Sequence, residues 1–262
     1  MIKVGIGGWT FEPWRGVFYP PKLPHARELS FASRAVTSIE INGTFYGSQK
    51  PASFQRWADE TPDDFVFSLK GPRFATNRRV LAEAGPSVER FLESGLSELG
   101  SKLGPILWQM PPTKTFEEED FAAFLALLPK TLDGRALRHV VEVRHESFRN
   151  ALFIALLKRH SVPVVFADSE KYLALADLTG DFVYARLQRA QEAIPTGYAP
   201  EAIAAFAEHA RAWERGTDPE DLPHAGKPAA KASPRDVFIY LINGAKVRAP
   251  AAACALIDKL NK

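Results

Sequence analysis

Eight short apolar or β-branched runs recur along the chain, most of them separated by segments of helical periodicity. They are IKVGIG (2–7), SIEIN (38–42), FVFSLK (65–70), PILWQM (105–110), HVVEVR (139–144), PVVFAD (163–168), FVYARLQ (182–188) and DVFIYLIN (236–243). Helical patterns cover 87–103, 117–129, 147–160, 200–216 and 250–262; Ser87 and Pro200 suit helix starts and Gly216 a helix stop. Strands alternating with helices build parallel βαβ units. Eight strands in 262 residues match a (β/α)8 barrel, which takes roughly 250. The open doubly wound sheet fits less well, because the first strand runs into GIGGWTFEPW and no third glycine opens a helix to hold a dinucleotide.

The expectation is therefore one TIM-like (β/α)8 barrel domain over 1–262, irregular around its sixth helix, where YLALADL (172–178) is short. Residues 8–24 form an aromatic, proline-rich loop after the first strand. Residues 216–235, rich in Gly, Pro, Lys and Asp, read as a mobile loop on the face opposite the expected site.

Composition narrows the function classes. A net charge of +2 forces neither a nucleic-acid nor a membrane-surface role. The single cysteine, Cys254 in AAACALI, reads as a small core residue and leaves no cysteine pair for zinc. No apolar stretch reaches the roughly 18 residues that span a bilayer, and MIKVGIGGW reads as a strand rather than a signal peptide. A cytoplasmic enzyme or binding protein is expected; oligomeric state is left open.

Strand side chains alternate, and in a barrel one parity faces the helices and the other the lumen. In VVEVR the valines Val141 and Val143 take the helix side, so Glu142 and Arg144 point inward. By the same alternation Glu40 and Asn42 face in from the second strand, and Tyr184 and Arg186 from the seventh. Lys70, Gln109 and Asp168 stand at strand C-terminal ends, and Gly5 and Gly7 make room in the lumen. His145 is the first residue past its strand. Active sites of this fold lie at the C-terminal mouth. With Glu40, Glu142 and Asp168 opposing Lys70, Arg144 and Arg186, the expected cluster is nearly neutral. Its plainest alternative is a structural ion-pair plug.

Segments carried in order along nearly the whole chain give it a family resemblance. They are GGW (7–9), WRGVFYP (14–20), EINGTFYG (40–47), RWADETPDDFVFSLKGP (56–72), KLGPILWQMPP (102–112), EVRHESF (142–148), FAD (166–168), YARL (184–187) and IYLINGAKVRAPAAACAL (239–256). On these the chain resembles domain-of-unknown-function family 72, the YecE-like proteins. The resemblance implies a TIM-like barrel and no established reaction. It also marks departures: Gln188-Arg189 stand where the family carries His-Gly, Thr76-Asn77 where it carries Thr-His, and Asn243-Gly244 where it carries an asparagine pair. Two histidines that acid–base chemistry could have used are thus absent, which points to chemistry that does not need them or to altered or lost activity.

Several chemistries fit these residue types. The leading expectation is a hydrolase-like enzyme acting on an anionic or sugar-like small molecule. Glu142 or Glu40 would be the base, His145 or Tyr184 the acid, and Asp168 a further carboxylate. Lys70, Arg144 and Arg186 would bind the anion, with Asn42, Gln109 and Asn243 as polar contacts. Trp9, Trp14, Tyr19 and Tyr46 would form an aromatic rim, although each taken alone is better explained by packing of the first loop. Arg73, Arg78 and Arg79 would add long-range attraction. A glycosidase would use Glu40 and Glu142 across the barrel, at an inverting separation, although three cations work against a protonated acid. No metal site is assigned. A divalent ion would need Glu40, Glu142, His145 and Asp168 to converge. The other class is a non-catalytic barrel that holds a ligand or single-stranded nucleic acid, the latter weakly supported by the net charge.

Overall fold

A computed structural model describes residues 1–227 and 233–262. Its order begins with strand β1 (Ile2–Gly7), helix α1 (Glu28–Ala35), β2 (Ser38–Ile41), the single turn α2 (Gly43–Tyr46) and α3 (Pro51–Glu60). Next come β3 (Val66–Lys70), the single turn α4 (Arg73–Thr76), α5 (Gly85–Leu92), β4 (Leu103–Gln109) and α6 (Glu118–Ala126). A small hairpin, β5 (Thr131–Leu132) and β6 (Arg135–Ala136), then precedes β7 (His139–Glu142), α7 (Ala151–His160) and β8 (Val165–Asp168). The chain ends with β9 (Phe182–Leu187), α8 (Pro200–Arg215), β10 (Asp236–Leu241) and α9 (Ala249–Leu260).

Eight parallel strands form one sheet in the order β7-β4-β3-β2-β1-β10-β9-β8. A parallel bridge between Val141 and Val164 brings its edges together, with the Val141 amide donating to Pro163 O at 3.0 Å. The sheet is thus a nearly closed (β/α)8 barrel of TIM type. All eight expected strands are present, within a few residues of their expected ends.

The helical expectations depart in three places. The 87–103 pattern splits into α5 and a 3-10 segment, because Gly95 sits at φ 104 and closes against Pro51. Helix α5 starts at Gly85 with Pro86 in its first turn, so Ser87 lies inside it. No helix forms over 172–178. That stretch has no regular secondary structure, and the loop after α8 meets its polar groups: the Ala176 amide donates to Pro223 O at 2.7 Å, and the Asp177 carboxylate accepts from the Ala225 and Gly226 amides. Residues 228–232 of the loop expected at 216–235 lie outside the described residues.

Two cores result. The larger lies between sheet and helices. The smaller fills the lumen with Leu107, Val140, Val165, Phe182, Tyr184, Phe238, Tyr240 and Ile242. Large residues on β9 and β10 meet small ones on β1 to β3. Tyr184 and Tyr240 lie 4.9 Å apart, with their hydroxyls 2.7 Å from Ser68 Oγ and 2.8 Å from Ser38 Oγ respectively. A Cβ at Gly5 would meet Ser38 O at 2.2 Å, so only glycine lets β1 pass that close. The lumen is therefore sealed below the C-terminal mouth.

Candidate functional site

Paired residues on parallel neighbours share a face, so the strand register fixes which side chains enter the lumen. Gly7 pairs with Glu40, Glu40 with Ser68, Lys70 with Leu107, Gln109 with Glu142, and Arg186 with Tyr240. Glu40, Lys70, Gln109, Glu142, Tyr184 and Arg186 all point inward, as the alternation predicts. Asp168 does not. Ala167 pairs with Arg186 and takes the lumen position, and Asp168 pairs with Leu187 on the helix side. There it approaches the half-exposed Arg189 at 3.5 Å, and burial raises its pKa against the pull of Arg189.

Arg186 is the hub. Its guanidinium, 2% exposed, donates from Nε to Glu40 Oε2 at 3.1 Å and from Nη2 to Glu40 Oε1 at 3.0 Å. Its Nη1 donates to Glu142. The Tyr184 hydroxyl also donates to Glu40 Oε2, at 2.7 Å. Burial, then the charge of Glu40, raises the Tyr184 pKa well above its ordinary value, so it stays protonated. Arg144 adds a second layer: Nε donates to Glu142 Oε1 at 2.7 Å and Nη2 to Gln109 Oε1 at 2.7 Å, while its guanidinium stacks 4.0 Å from the Tyr172 ring centre. Burial pushes the Glu142 carboxyl up, but Arg186 and Arg144 outweigh it and hold it below the usual range. Glu40 and Glu142 are both fully buried. They are bound to opposite sides of one guanidinium, and neither reaches the cavity above.

That cavity, about 390 Å³, opens over the network. Strand ends contribute Lys70, Gln109, Arg144 and Arg186. The turn after β2 adds Asn42, Phe45 and Tyr46, and the segment after β10 adds Asn243 and Lys246. Without Asp168 the mouth carries three cations, Lys70, Arg144 and Arg186, over two carboxylates, and Lys246 is a further cation at the rim. The expected near-neutrality is thus replaced by a cation excess. Among the described residues no carboxylate lines the cavity.

Three side chains contrast with the network. Among the described residues, Lys3, Lys70 and Lys102 are the lysines at or below 9% exposure. Lys3 Nζ donates to Asp64 O at 2.6 Å, and Lys102 Nζ to Thr61 O at 2.7 Å. Lys70 Nζ has no hydrogen-bond or ion-pair partner among the described residues; it lies 4.1 Å from the centre of the Phe45 ring and faces the cavity. Burial, then the charges of Arg186 and Arg144, lowers its pKa to about 8 against the upward pull of Glu40 and Glu142.

Other expected residues lie elsewhere. His145 is half-buried and turned away from the cavity; its Nδ1 accepts from the Ser147 amide at 3.2 Å and caps the turn at Glu146–Phe148. Trp9 packs edge-on against Trp57 and Phe67 on the helix side of the sheet and does not line the cavity. Tyr19 is buried, with its hydroxyl donating to Trp9 O. Tyr46 stays at the rim, 66% exposed. Glu40, Glu142, His145 and Asp168 do not converge, and no group of three His, Cys, Asp or Glu residues suited to a metal occurs among the described residues.

Lys246, Phe45 and Tyr172 were not singled out from the sequence. The available signal was positional, since each follows a strand at the C-terminal mouth. Asn243, at φ 63, lines both this cavity and a second one of about 480 Å³, which also holds Tyr172, Gln188 and Arg189. The departures from the family pattern at Gln188, Arg189 and Gly244 therefore fall in that second cavity. No helix among the described residues is long and apolar enough to cross a membrane.

The family model described as "Protein of unknown function DUF72" matches residues 3–262. Curated relatives include the UPF0759 protein YecE of Escherichia coli strain K12, 29% identical over 148 residues, which are 56% of this chain and 50% of that protein. The UPF0759 protein YunF of Bacillus subtilis is 27% identical over 127 residues, 47% of this chain and 44% of that one. The matches thus span about half the length of these relatives. A DUF72 family protein from Thermotoga maritima superposes with a TM-score of 0.75 at 22% identity, covering 100% of both chains. One from Enterococcus faecalis gives 0.74 at 16%, covering 100% of this chain and 96% of that one. At these identities the likeness bears on the fold alone.

Proposed function

The chain belongs to the DUF72 family, and from that premise we propose that its barrel mouth is the site of an enzyme acting on a small anionic metabolite. The observation that carries this is the cavity lining: Lys70, Arg144, Arg186 and Lys246, with no carboxylate among the described residues. Arg186 is consumed by Glu40 and Glu142. Arg144 Nη1, Lys70 Nζ and Lys246 Nζ have no hydrogen-bond partner among the described residues. Arg144 and Lys246 supply charge-assisted donors for a carboxylate or phosphate. A cavity of about 390 Å³ fits a small metabolite, within the size range of small-molecule sites.

The hydrolytic expectation leaned on Glu40 or Glu142 as base. Both are sealed beneath guanidinium groups, so they hold the arginines in place and reactivity falls to groups that face the cavity. The test is a thermal-shift panel of inorganic phosphate, phosphosugars, small carboxylates, neutral sugars and short oligonucleotides, each with chelator and with divalent cations. A ligand at 100 times its dissociation constant adds about 2.7 kcal/mol, a rise of roughly 5–10 °C for a chain of this size. Small anions should shift the wild type, and Arg144→Ala and Lys246→Met should weaken the shift. Equal shifts with neutral sugars, or shifts from oligonucleotides alone, would overturn the reading.

A further inference from the structure

We propose that Lys70 is a nucleophile, forming an imine with a small aldehyde or ketone that carries a carboxylate or phosphate. The proposal rests on the anionic-ligand reading above and names the reacting half of that ligand. Its ground is the contrast among buried lysines. The ammonium of a largely buried lysine is normally hydrogen-bonded to protein. Lys3 and Lys102 obey this through backbone carbonyls. Lys70 stands at the C-terminal end of β3, is 6% exposed, and aims an unpartnered Nζ into the cavity.

Burial and the neighbouring guanidinium groups oppose its charge, while the Phe45 ring, 4.1 Å from Nζ to the ring centre, gives that charge a cation–π contact. Arg186 and Arg144 oppose its charge, and Glu40 and Glu142, which favour that charge, are already tied to those two arginines. With its pKa lowered to about 8, Lys70 near pH 7.5 holds roughly two hundred times more free base than an ordinary lysine. Arg144 and Lys246 remain for the anion, so binding and reaction fall to different residues.

The chemistry needs no group from outside beyond a solvent proton. The Lys70 nitrogen pair attacks the carbonyl carbon, the C–O π pair moves to oxygen, and that oxygen gains a proton to give a carbinolamine. The nitrogen then loses its extra proton, the hydroxyl leaves as water after protonation, and a protonated imine remains. In balance, amine, carbonyl and one proton give iminium and water. The iminium then accepts the electron pair of a neighbouring C–H bond as that proton leaves to solvent.

The test is reductive trapping of the wild-type protein with cyanoborohydride and three probes, pyruvate, glyoxylate and glyceraldehyde 3-phosphate, with acetone as the uncharged control. Peptide mass spectrometry locates the adduct. At least one anionic probe should label Lys70 about a hundredfold above exposed lysines, with labelling that rises with pH to a midpoint near 8. Acetone should label it weakly. Lys70→Arg should abolish the adduct while keeping the anion-dependent thermal shift, which separates failure of the imine from failure of anion binding. Labelling spread over surface lysines, or none at Lys70 with any probe despite a thermal shift by the same probe, overturns the proposal.

Discussion

Replacing Arg186 with methionine removes the one side chain that both buried carboxylates share. Glu40 loses two hydrogen bonds, at 3.1 and 3.0 Å, and Glu142 loses its contact with Nη1. Glu40 keeps the Tyr184 hydroxyl, and Glu142 keeps Arg144. Both carboxylates are fully buried, so solvent cannot compensate. Breaking a buried pair in this way costs about 3–5 kcal/mol, which lowers the melting temperature by roughly 6–20 °C. The pH dependence gives the sharper test. Without Arg186, like charges and burial raise the carboxyl pKa values of the folded variant above those of its unfolded chain. Between the unfolded and folded values the folded variant then binds more protons, so its stability falls as pH rises through that window. The variant should sit closer to wild type near pH 5 than near pH 8, and Glu40→Gln added to Arg186→Met should recover part of the loss at the higher pH. Urea unfolding at both pH values measures this. A penalty below about 1 kcal/mol at pH 8, or no recovery on adding Glu40→Gln, would refute the account of Arg186 as counter-ion to the pair.

Three further outcomes follow from the same geometry. His139 accepts from Trp108 Nε1 at 3.1 Å, faces Pro129 O at 2.7 Å, and is held neutral by burial, with its pKa lowered to about 4. The unfolded chain therefore takes up a proton near pH 6.5 that the fold refuses until about 4. Stability falls as pH drops through that window, by about 2 kcal/mol near pH 5, and His139→Gln should flatten this part of a urea-midpoint profile. Gly5→Ala drives a Cβ to 2.2 Å from Ser38 O and should cost roughly 3 kcal/mol or more, whereas Gly47→Ala, with nothing within 4 Å, should stay within about 0.5 kcal/mol. Asp168→Asn disturbs only an approach to half-exposed Arg189; its melting temperature and anion-induced shift should match wild type within error, and a loss as large as that of Arg144→Ala would contradict its place outside the lumen.

The barrel was legible because its signal is repeated. Each of eight strands combines β-branched composition with turn or helix signals at both ends, and β2, β7 and β9 show an unambiguous apolar parity. Where the signal is single, it fails. YLALADL carries helical composition, but seven residues are too few to nucleate a helix without a packed face, and the chain after α8 offers the 176–177 backbone and the Asp177 carboxylate hydrogen bonds instead. The two-strand hairpin at 131–136 has Asp133 and Gly134 in its turn, both at positive φ. Asp-Gly is a hairpin signal, but it sat between runs too short to read as strands.

The lumen-facing positions were legible to the point where parity ran out. In PVVFAD both faces are apolar, as they are in any parallel strand covered on both sides, so nothing in the sequence tells whether Phe166 and Asp168 or Val165 and Ala167 enter the lumen. Pairing with β9 decides it, and the decision changes the chemistry. Moving one carboxylate out converts a near-neutral plug into a site with more cations than carboxylates. The two glutamates that drew attention in EIN and EVR are consumed in holding Arg186 and Arg144. That leaves the cavity to Lys70, a residue whose sequence context, FSLK at the end of a strand, says only that it is near the mouth. Its difference from Lys3 and Lys102 is that its Nζ faces the cavity and not a backbone carbonyl, a difference that exists only once the chain is folded. A structural plug would have used the Lys70 amine to neutralise a carboxylate. Here Glu40 and Glu142 are already paired with arginines, and the amine is left facing a cavity large enough for a ligand.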